Sequence, residues 1–143
     1  SARMAEHRII VARAKGEIAE TRYRVAIKAG NHDFVADEPQ RIGGGDAGPS
    51  PYGLLLAGLA ACTAITLRMY CDRKEWPLAG AVVDLKFMHG ENDSRIDRVI
   101  TLEGDLSPEQ RARLAEIAER TPVTLTLKSG VAIKTDMRHS AQA

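Results

Sequence analysis

The sequence predicts an α+β fold with a mainly antiparallel sheet and one long buried central helix. Two observations carry this prediction. Short alternating or β-branched segments occur in pairs joined by turn signals, as in hairpins, and just two stretches have the length and start signals of sizeable helices. The resulting order, β-β-β-α-β-β-α-β, is typical of an α+β domain, because strands that follow each other closely pair with each other.

The longest helix is predicted to start at Ser50 and to continue to about Tyr70. Ser50 offers a side-chain oxygen for the N-cap, and Pro51 has the fixed φ that suits the first helical position. From Leu54 to Cys62 no residue is charged or strongly polar. A helix that is apolar on every face must be buried on every face, so we expect it at the centre of the fold.

A membrane position for this helix is not expected. A span requires ~18 consecutive apolar residues. The apolar run is interrupted sooner, by Thr63, Thr66 and Arg68. The helix is therefore predicted to lie in a protein core.

The strands are predicted from β-branched runs and from alternation. Three precede the central helix, at residues 8–14, 21–28 and 33–36, and a hairpin follows it, at 79–89 and 95–103. Ser107, Pro108 and Gln110 form the pattern of a capping box and predict a second helix. Residues 121–127 fit either a short helix or a strand, and 131–135 are predicted to form the last strand.

A glycine-rich loop over residues 41–50 leads into the central helix. Gly43, Gly45 and Gly48 have the spacing of a dinucleotide-binding fingerprint. That fingerprint requires a strand directly before the glycines and a helix that opens within them. Residues 37–39 end the strand early and Pro49 delays the helix, so we interpret the loop as a connector.

Length and composition restrict the classes of function. The 143 residues predict one domain over 1–143, with loose ends at about 1–7 and 137–143. Lysine and arginine number 20 against 19 acidic residues, which leaves no excess of positive charge for nucleic acid. The four histidines have no spacing that predicts a metal site, and no other cofactor is expected.

The cellular setting is predicted from the cysteines and from the first residues. Two cysteines do not make a disulfide framework, and no apolar leader with a cleavage site is visible. We therefore expect a cytoplasmic protein with free thiols. Five or six strands with 4% aromatic residues cannot easily enclose an all-apolar helix, so a symmetric homodimer with a shared core is predicted.

The residues around the central helix resemble the OsmC/Ohr family, the osmotically inducible and organic-hydroperoxide-resistance proteins. The likeness extends over about Thr21–Thr135 and rests on four segments, residues 36–39, 43–44, 48–57 and 60–63. It implies an intertwined homodimer with active sites at the subunit interface, where Cys62 reduces organic hydroperoxides. The family's arginine falls near the start of the second strand, at Arg22 or Arg24, and the sequence leaves the choice open.

Two positions depart from the family pattern. Relatives that are well-formed peroxidases carry a second cysteine directly before a Pro-Val pair, where this chain has Thr121. Relatives also tend to have a glutamate shortly after the helix-opening proline, where this chain has Tyr52 and Gly53. The chain is therefore similar to an OsmC-like branch that lacks the second cysteine.

Cys62 has two interpretations. In the first, it is the single cysteine of a peroxidase, its thiolate is stabilised by Arg22 or Arg24, and an external thiol reduces the sulfenic acid. In the second, the protein binds a small apolar ligand without catalysis and Cys62 is a core filler. Cys62 lies about three turns into its helix, too far for the dipole of that helix to help, so a cation is expected to stabilise any thiolate. Cys71 is on the opposite helix face and is expected to be structural or at the surface.

Overall fold

The computed structural model of the protein describes residues 7–140. The predicted loose ends fall mostly on residues 1–6 and 141–143, which lie outside the described residues; positions 137–140 are exposed and have no regular secondary structure. The chain forms two compact units, one that ends at Leu55 and one that begins at Leu56. The single domain over 1–143 stays a prediction.

The first unit contains a three-stranded antiparallel sheet in the order β1-β2-β3. Its strands are β1 (Ala14–Ile18), β2 (Val25–Ala29) and β3 (His32–Ala36). The prediction of the first strand at 8–14 was wrong, since β1 begins at Ala14 and Ile18 pairs with Val25. The β-branched run at 9–11 is fully exposed in the chain, because β-propensity favours extended backbone but does not supply a partner strand.

The glycine-rich loop after β3 folds around a buried carboxylate. Asp37 is 2% exposed and accepts four backbone N–H groups, those of Glu38, Gly45 and Ala47 after β3 and that of Tyr23 before β2. The bond from the Ala47 amide contributes most to holding the pKa of Asp37 below its usual range. Two amides of the loop are thus engaged by the chain's own carboxylate, which agrees with its interpretation as a connector.

The central helix, α1 (Pro51–Lys74), starts where the sequence predicts. The Gly53 amide donates to Ser50 Oγ at 3.1 Å, the bond expected of an N-cap. Within the second unit, α1 buries one stripe of side chains, formed by Leu59, Thr63, Leu67, Tyr70 and Cys71. The single chain does not bury α1 on every face, since Ile65 is 53% and Met69 64% exposed, and full burial in a core shared with a second copy stays a prediction.

The argument from run length against a membrane position is not decisive. In the part of the chain that the structure describes, α1 is long and apolar enough to cross a membrane by length and composition. Core helices of soluble proteins satisfy the same criterion. The absence of a membrane partner stays a prediction.

The rest of the second unit is a hairpin followed by two helices. The hairpin pairs β4 (Gly80–His89) with β5 (Ser94–Glu103), and α2 (Pro108–Ala118) and α3 (Pro122–Ser129) follow. Both bonds of the predicted capping box form at the start of α2, between Ser107 and Gln110. α1 and α2 contribute to an apolar core made by Leu67, Tyr70, Cys71, Leu78, Leu106 and Leu114.

The residues after α2 decide one open alternative and overturn one prediction. Residues 122–129 are helical, because Thr121 caps the helix and Pro122 suits its first position. The predicted last strand at 131–135 was wrong, since these residues have no regular structure and Val131 and Ile133 are exposed. Together the two units confirm the α+β class with antiparallel strands.

Candidate functional site

Cys62 lies in the middle of α1 with its side chain partly buried. The backbone N–H of Val123 donates to Cys62 Sγ, with 3.5 Å between nitrogen and sulfur. Val123 is the second residue of α3, and the first amides of a helix have no acceptor within the helix. The positive end of the α3 dipole is therefore directed at the sulfur.

This contact adds a neighbour of the sulfur that the sequence analysis did not consider, and the expectation of a stabilising cation stays a prediction. The sequence argument considered only the helix that carries the cysteine, whose start is three turns away. The structure brings a different helix terminus to the sulfur. The prediction missed it because residues 121–127 were ambiguous between helix and strand.

Thr121, which the resemblance aligns with a second cysteine of the OsmC/Ohr peroxidases, is completely buried. Its Oγ1 accepts the amide of Thr124 at 3.3 Å, which caps α3, and lies 2.6 Å from Thr124 Oγ1. Thr124 Oγ1 in turn lies 3.4 Å from the carbonyl oxygen of Ala118. The hydroxyl at 121 thus holds the start of α3 in place.

Arg98 of β5 joins this network, and its side chain is 12% exposed. One terminal nitrogen of its guanidinium donates to both Thr63 Oγ1 and Thr124 Oγ1, each at 2.9 Å. The other donates to the Ala118 carbonyl at 2.9 Å and to a carboxylate oxygen of Glu119 at 3.2 Å. Arg98 therefore connects β5 with α1, with α3 and with the end of α2.

The sequence analysis did not single out Arg98, although the strand pattern contains a signal. Alternate residues of a strand share one face. Ile96, Ile100 and Leu102 form the apolar face of β5, and Arg98 falls on that same face. A lone arginine in an apolar face predicts a buried cation with specific partners, because an unpaired one is costly to bury.

Glu119 balances the charge of Arg98 at the surface. Its carboxylate binds Lys128 Nζ at 2.7 Å as well as the Arg98 guanidinium. The hydrogen bond from Lys128, and then the charges of Lys128 and Arg98, hold the pKa of Glu119 below its usual range. The carboxylate is therefore ionised at neutral pH.

Cys71 is a structural residue of the core, one of the two roles expected for it. Its side chain is 0% exposed among the apolar side chains of the second unit. Burial raises the pKa of the Cys71 thiol, and the neighbouring charges of Arg68 and Asp72 act in opposite directions. A buried thiol of this kind is a poor nucleophile at neutral pH.

The two predicted arginines lie in the first unit. Arg22 and Arg24 are in the connection between β1 and β2, and both side chains are exposed. Their assignment to Cys62, a residue of the second unit, stays a prediction. Within residues 7–140, no three side chains of His, Cys, Asp or Glu are grouped so that they could hold a metal ion.

Solved structures of known proteins share this fold. An OsmC-like protein from Mycoplasma pneumoniae is similar with a TM-score of 0.71 and 17% identity, over 82% of this chain and 86% of that one. The organic hydroperoxide resistance protein OsmC from Legionella pneumophila has a TM-score of 0.61 and 17% identity, over 85% and 92% of the two chains. OhrB, the organic hydroperoxide resistance protein of Bacillus subtilis, has a TM-score of 0.60 and 21% identity, over 87% and 96%.

The sequence agrees with the structural likeness. The family described as OsmC-like protein matches residues 43–136, which include α1, the β4–β5 hairpin, α2 and α3. The chain therefore belongs to the OsmC-like protein family. No curated protein sequence gives a significant match.

Proposed function

We propose that the protein reduces organic hydroperoxides with Cys62 as its single reactive thiol. The observation that carries this proposal is the Val123 N–H directed at Cys62 Sγ from the start of α3. A donor at a helix N-terminus favours the thiolate, which is the nucleophilic form of cysteine. Family membership and the hydroperoxide-resistance proteins among the similar structures support the same chemistry.

The reaction has two stages. The Cys62 thiolate attacks one peroxide oxygen, the O–O bond breaks, and the alkoxide leaves and takes up a proton as an alcohol, so that cysteine sulfenic acid is formed. A first external thiol then condenses with the sulfenic acid, releasing water and forming a mixed disulfide. A second external thiol cleaves that bond and restores Cys62, and the two external thiols leave as a disulfide. No cofactor is required, and a reducing cytoplasm supplies the thiols.

Arg22 and Arg24 are candidates for a further cation near the thiolate or the peroxide. The resemblance implies that the family's arginine falls near the start of the second strand, and both side chains are exposed at the surface of the first unit. Single replacements by methionine separate the two. The variant with the slower peroxide reduction identifies the arginine that serves, and unchanged rates in both exclude the pair.

We also propose that the protein works as a homodimer. Apolar side chains of α1 outside its buried stripe are exposed in the single chain. Over the most apolar 18 residues of this helix, 28% is buried within the chain. A second copy that covers this surface would give α1 the burial its composition requires. Sedimentation at micromolar concentration is expected to give twice the monomer mass, and a stable folded monomer contradicts the dimer.

A second candidate function is favoured by the engaged hydroxyl at position 121. Because Thr121 is buried and caps α3, the structure contains no second thiol at this end of the site. A non-catalytic protein that binds a small apolar ligand would need none, and Cys62 would then be a partly buried filler. Gly53, where relatives tend to have a glutamate, points the same way.

Sulfenic acid trapping decides between the two functions. The folded protein is treated with one equivalent of an organic hydroperoxide and a sulfenic acid trap, and peptides are identified by mass spectrometry. We expect label on Cys62 and none on Cys71, and with excess peroxide Cys62 is expected to become sulfinic acid unless a thiol is added. Unmodified Cys62 in folded protein overturns the peroxidase proposal and leaves ligand binding. The Cys62→Ser variant is the control.

A further inference from the structure

Arg98 makes four side-chain hydrogen bonds, and two of them end on residues next to the Cys62–Val123 contact. Its acceptors on α1 and α3 are Thr63 and Thr124, which directly follow Cys62 and Val123 in the sequence. One guanidinium nitrogen is thus bonded to the residue after the thiol and to the residue after its N–H donor. Arg98 therefore joins α1 to α3 next to the sulfur.

The acceptors are held on their other sides as well. Thr63 Oγ1 donates its own hydrogen to the Leu59 carbonyl at 2.7 Å, so its lone pairs are directed at Arg98. Thr124 Oγ1 is held by Thr121 at 2.6 Å. A planar guanidinium bonded to fixed acceptors has little freedom, which makes Arg98 suited to set a distance between two helices.

We propose that Arg98 is a positioning residue for Cys62, which keeps the start of α3 against the sulfur so that the Val123 N–H stabilises the thiolate. This inference rests on the proposed function, in which the thiolate is the attacking form. Arg98 acts through Thr63 and Thr124 and is not assigned a contact with substrate. The alternative is a purely structural bridge that holds α2 and α3 to the hairpin.

The pH dependence of Cys62 alkylation separates positioning from a structural bridge. The rate of alkylation at pH 7 is divided by the rate at pH 9, with Cys62 followed by peptide mass spectrometry. A change that only exposes the sulfur alters both rates alike and leaves the ratio constant. A change that removes stabilisation of the thiolate lowers the ratio, because the thiolate is the form that reacts.

The charged groups of this network are Arg98, Glu119 and Lys128. The pKa of Glu119 is held below its usual range, first of all by the hydrogen bond from Lys128, so this carboxylate keeps its charge at both pH values. Lys128 Nζ donates to the carbonyl oxygen and to a carboxylate oxygen of Glu119, and the variant Lys128→Met measures its contribution directly.

The test compares Arg98→Met with Arg95→Met. Arg95 lies on the same strand but is exposed and bonded to Asp97, so its replacement removes an arginine without touching the network. We expect the ratio to fall about threefold or more in Arg98→Met, the scale of a helix-terminus effect on a charge, and to stay constant in Arg95→Met. Arg98→Lys keeps the charge but loses the fork of donors, and an intermediate ratio is expected.

Thr124→Val and Thr124→Ser keep the proposal testable where Arg98→Met does not fold. Thr124→Val removes the acceptor on α3 and leaves Arg98 in place, so the ratio is expected to fall. Thr124→Ser keeps the hydroxyl, so the ratio is expected to stay near the wild-type value. Equal ratios in Thr124→Val and Thr124→Ser overturn the positioning role.

The positioning role and the proposed function fail in different ways. If the ratio of alkylation rates at pH 7 and pH 9 is the same in all variants and the wild type forms sulfenic acid, the positioning role is overturned and the peroxidase proposal stands. Lowered ratios, with no sulfenic acid in the wild type, support the positioning of Cys62 and overturn the peroxidase. The alkylation measurement contains no peroxide, which keeps the two results independent.

Discussion

Replacing Thr121 by cysteine tests whether the start of α3 faces Cys62 as the second cysteine of the family implies. Thr121 lies two residues before Val123, whose amide is 3.5 Å from Cys62 Sγ. A disulfide requires Cα atoms within ~7 Å of each other. We expect Thr121→Cys to form an internal disulfide with Cys62 after one equivalent of organic hydroperoxide.

The reduced variant is expected to be less stable than the wild type. Loss of the hydroxyl removes the N-cap of α3, which costs about 1 kcal/mol, and the buried bond to Thr124, which costs about 1 kcal/mol more. Thr124 Oγ1 keeps its bonds to Arg98 and Ala118, so no additional buried polar atom is orphaned. The sum is about 2 kcal/mol.

The disulfide is expected to offset this loss. A bridge between Cys62 and residue 121 closes a loop of roughly 60 residues, for which chain entropy gives a stabilisation of about 4 kcal/mol. The oxidised variant should therefore be more stable than the reduced one by up to about 4 kcal/mol. Since stability falls by about 1 to 3 kcal/mol per molar urea, the urea midpoint of the oxidised form should be higher by up to about 1 to 4 M, depending on that slope.

The assay combines mass spectrometry with urea unfolding of the oxidised and reduced variant. Cys62→Ser/Thr121→Cys is the control in which no bridge forms, and Thr121→Ser, which keeps the hydroxyl, should stay near wild-type stability. Sulfenic acid on Cys62 without any bridge in folded Thr121→Cys would show that position 121 does not face the thiol. This result would refute the inference that residue 121 faces Cys62 as the second cysteine of the family implies.

Other consequences of the structure can be checked separately. Leu59→Asp should abolish folding, because Leu59 is 4% exposed and an unpaired buried charge costs several kcal/mol of a total unfolding free energy of about 5 to 15 kcal/mol. The loss is measured by circular dichroism. Ile65→Asp changes an exposed residue of α1, so it should keep the helix signal and instead reduce the mass measured in sedimentation. Cys71 should resist alkylation at pH 8 in native protein and react fully in urea, since burial raises the pKa of its thiol, and native labelling would contradict its core position. The pKa of Asp37 is lower in the folded protein than in the unfolded chain, so its contribution to stability is present above the unfolded pKa of about 4 and is lost as the pH falls from there through the folded pKa. Asp37→Asn should lower the melting temperature at pH 7 and make the melting temperature less sensitive to acid. An equal fall of the melting temperature with acid in both proteins would count against this role.

Features written in local sequence were predictable. The start of α1 follows from Ser50 and Pro51, and the start of α2 follows from the Ser107–Gln110 capping box, because caps act over three or four residues. The β4–β5 hairpin follows from two apolar runs and a short turn. Each of these signals needs only neighbours along the chain.

Features that need a distant partner were not predictable. Residues 8–13 and 131–135 contain β-branched residues but pair with no strand in the described chain, since propensity does not create a partner. The site has the same character. The N–H donor of Cys62 comes from 61 positions along the chain, and one bond of Arg98 reaches 35 positions to Thr63.

The arrangement of the site has a consequence for its reductant. The sulfur of Cys62 faces the amide of Val123 at the start of α3. The start of α3 is held by the capping hydroxyl of Thr121 and by the bond from Arg98 to Thr124. A thiol at position 121 would remove that cap. The hydroxyl that caps α3 and a resolving thiol therefore compete for position 121. This chain has the hydroxyl at position 121. In the proposed reaction, the thiol that attacks the sulfenic acid must therefore come from solvent and reach the sulfur where the Cys62 side chain is exposed. Because that side chain is partly buried, the rate of recovery from sulfenic acid should depend on the size of the reducing thiol as well as on its fraction of thiolate.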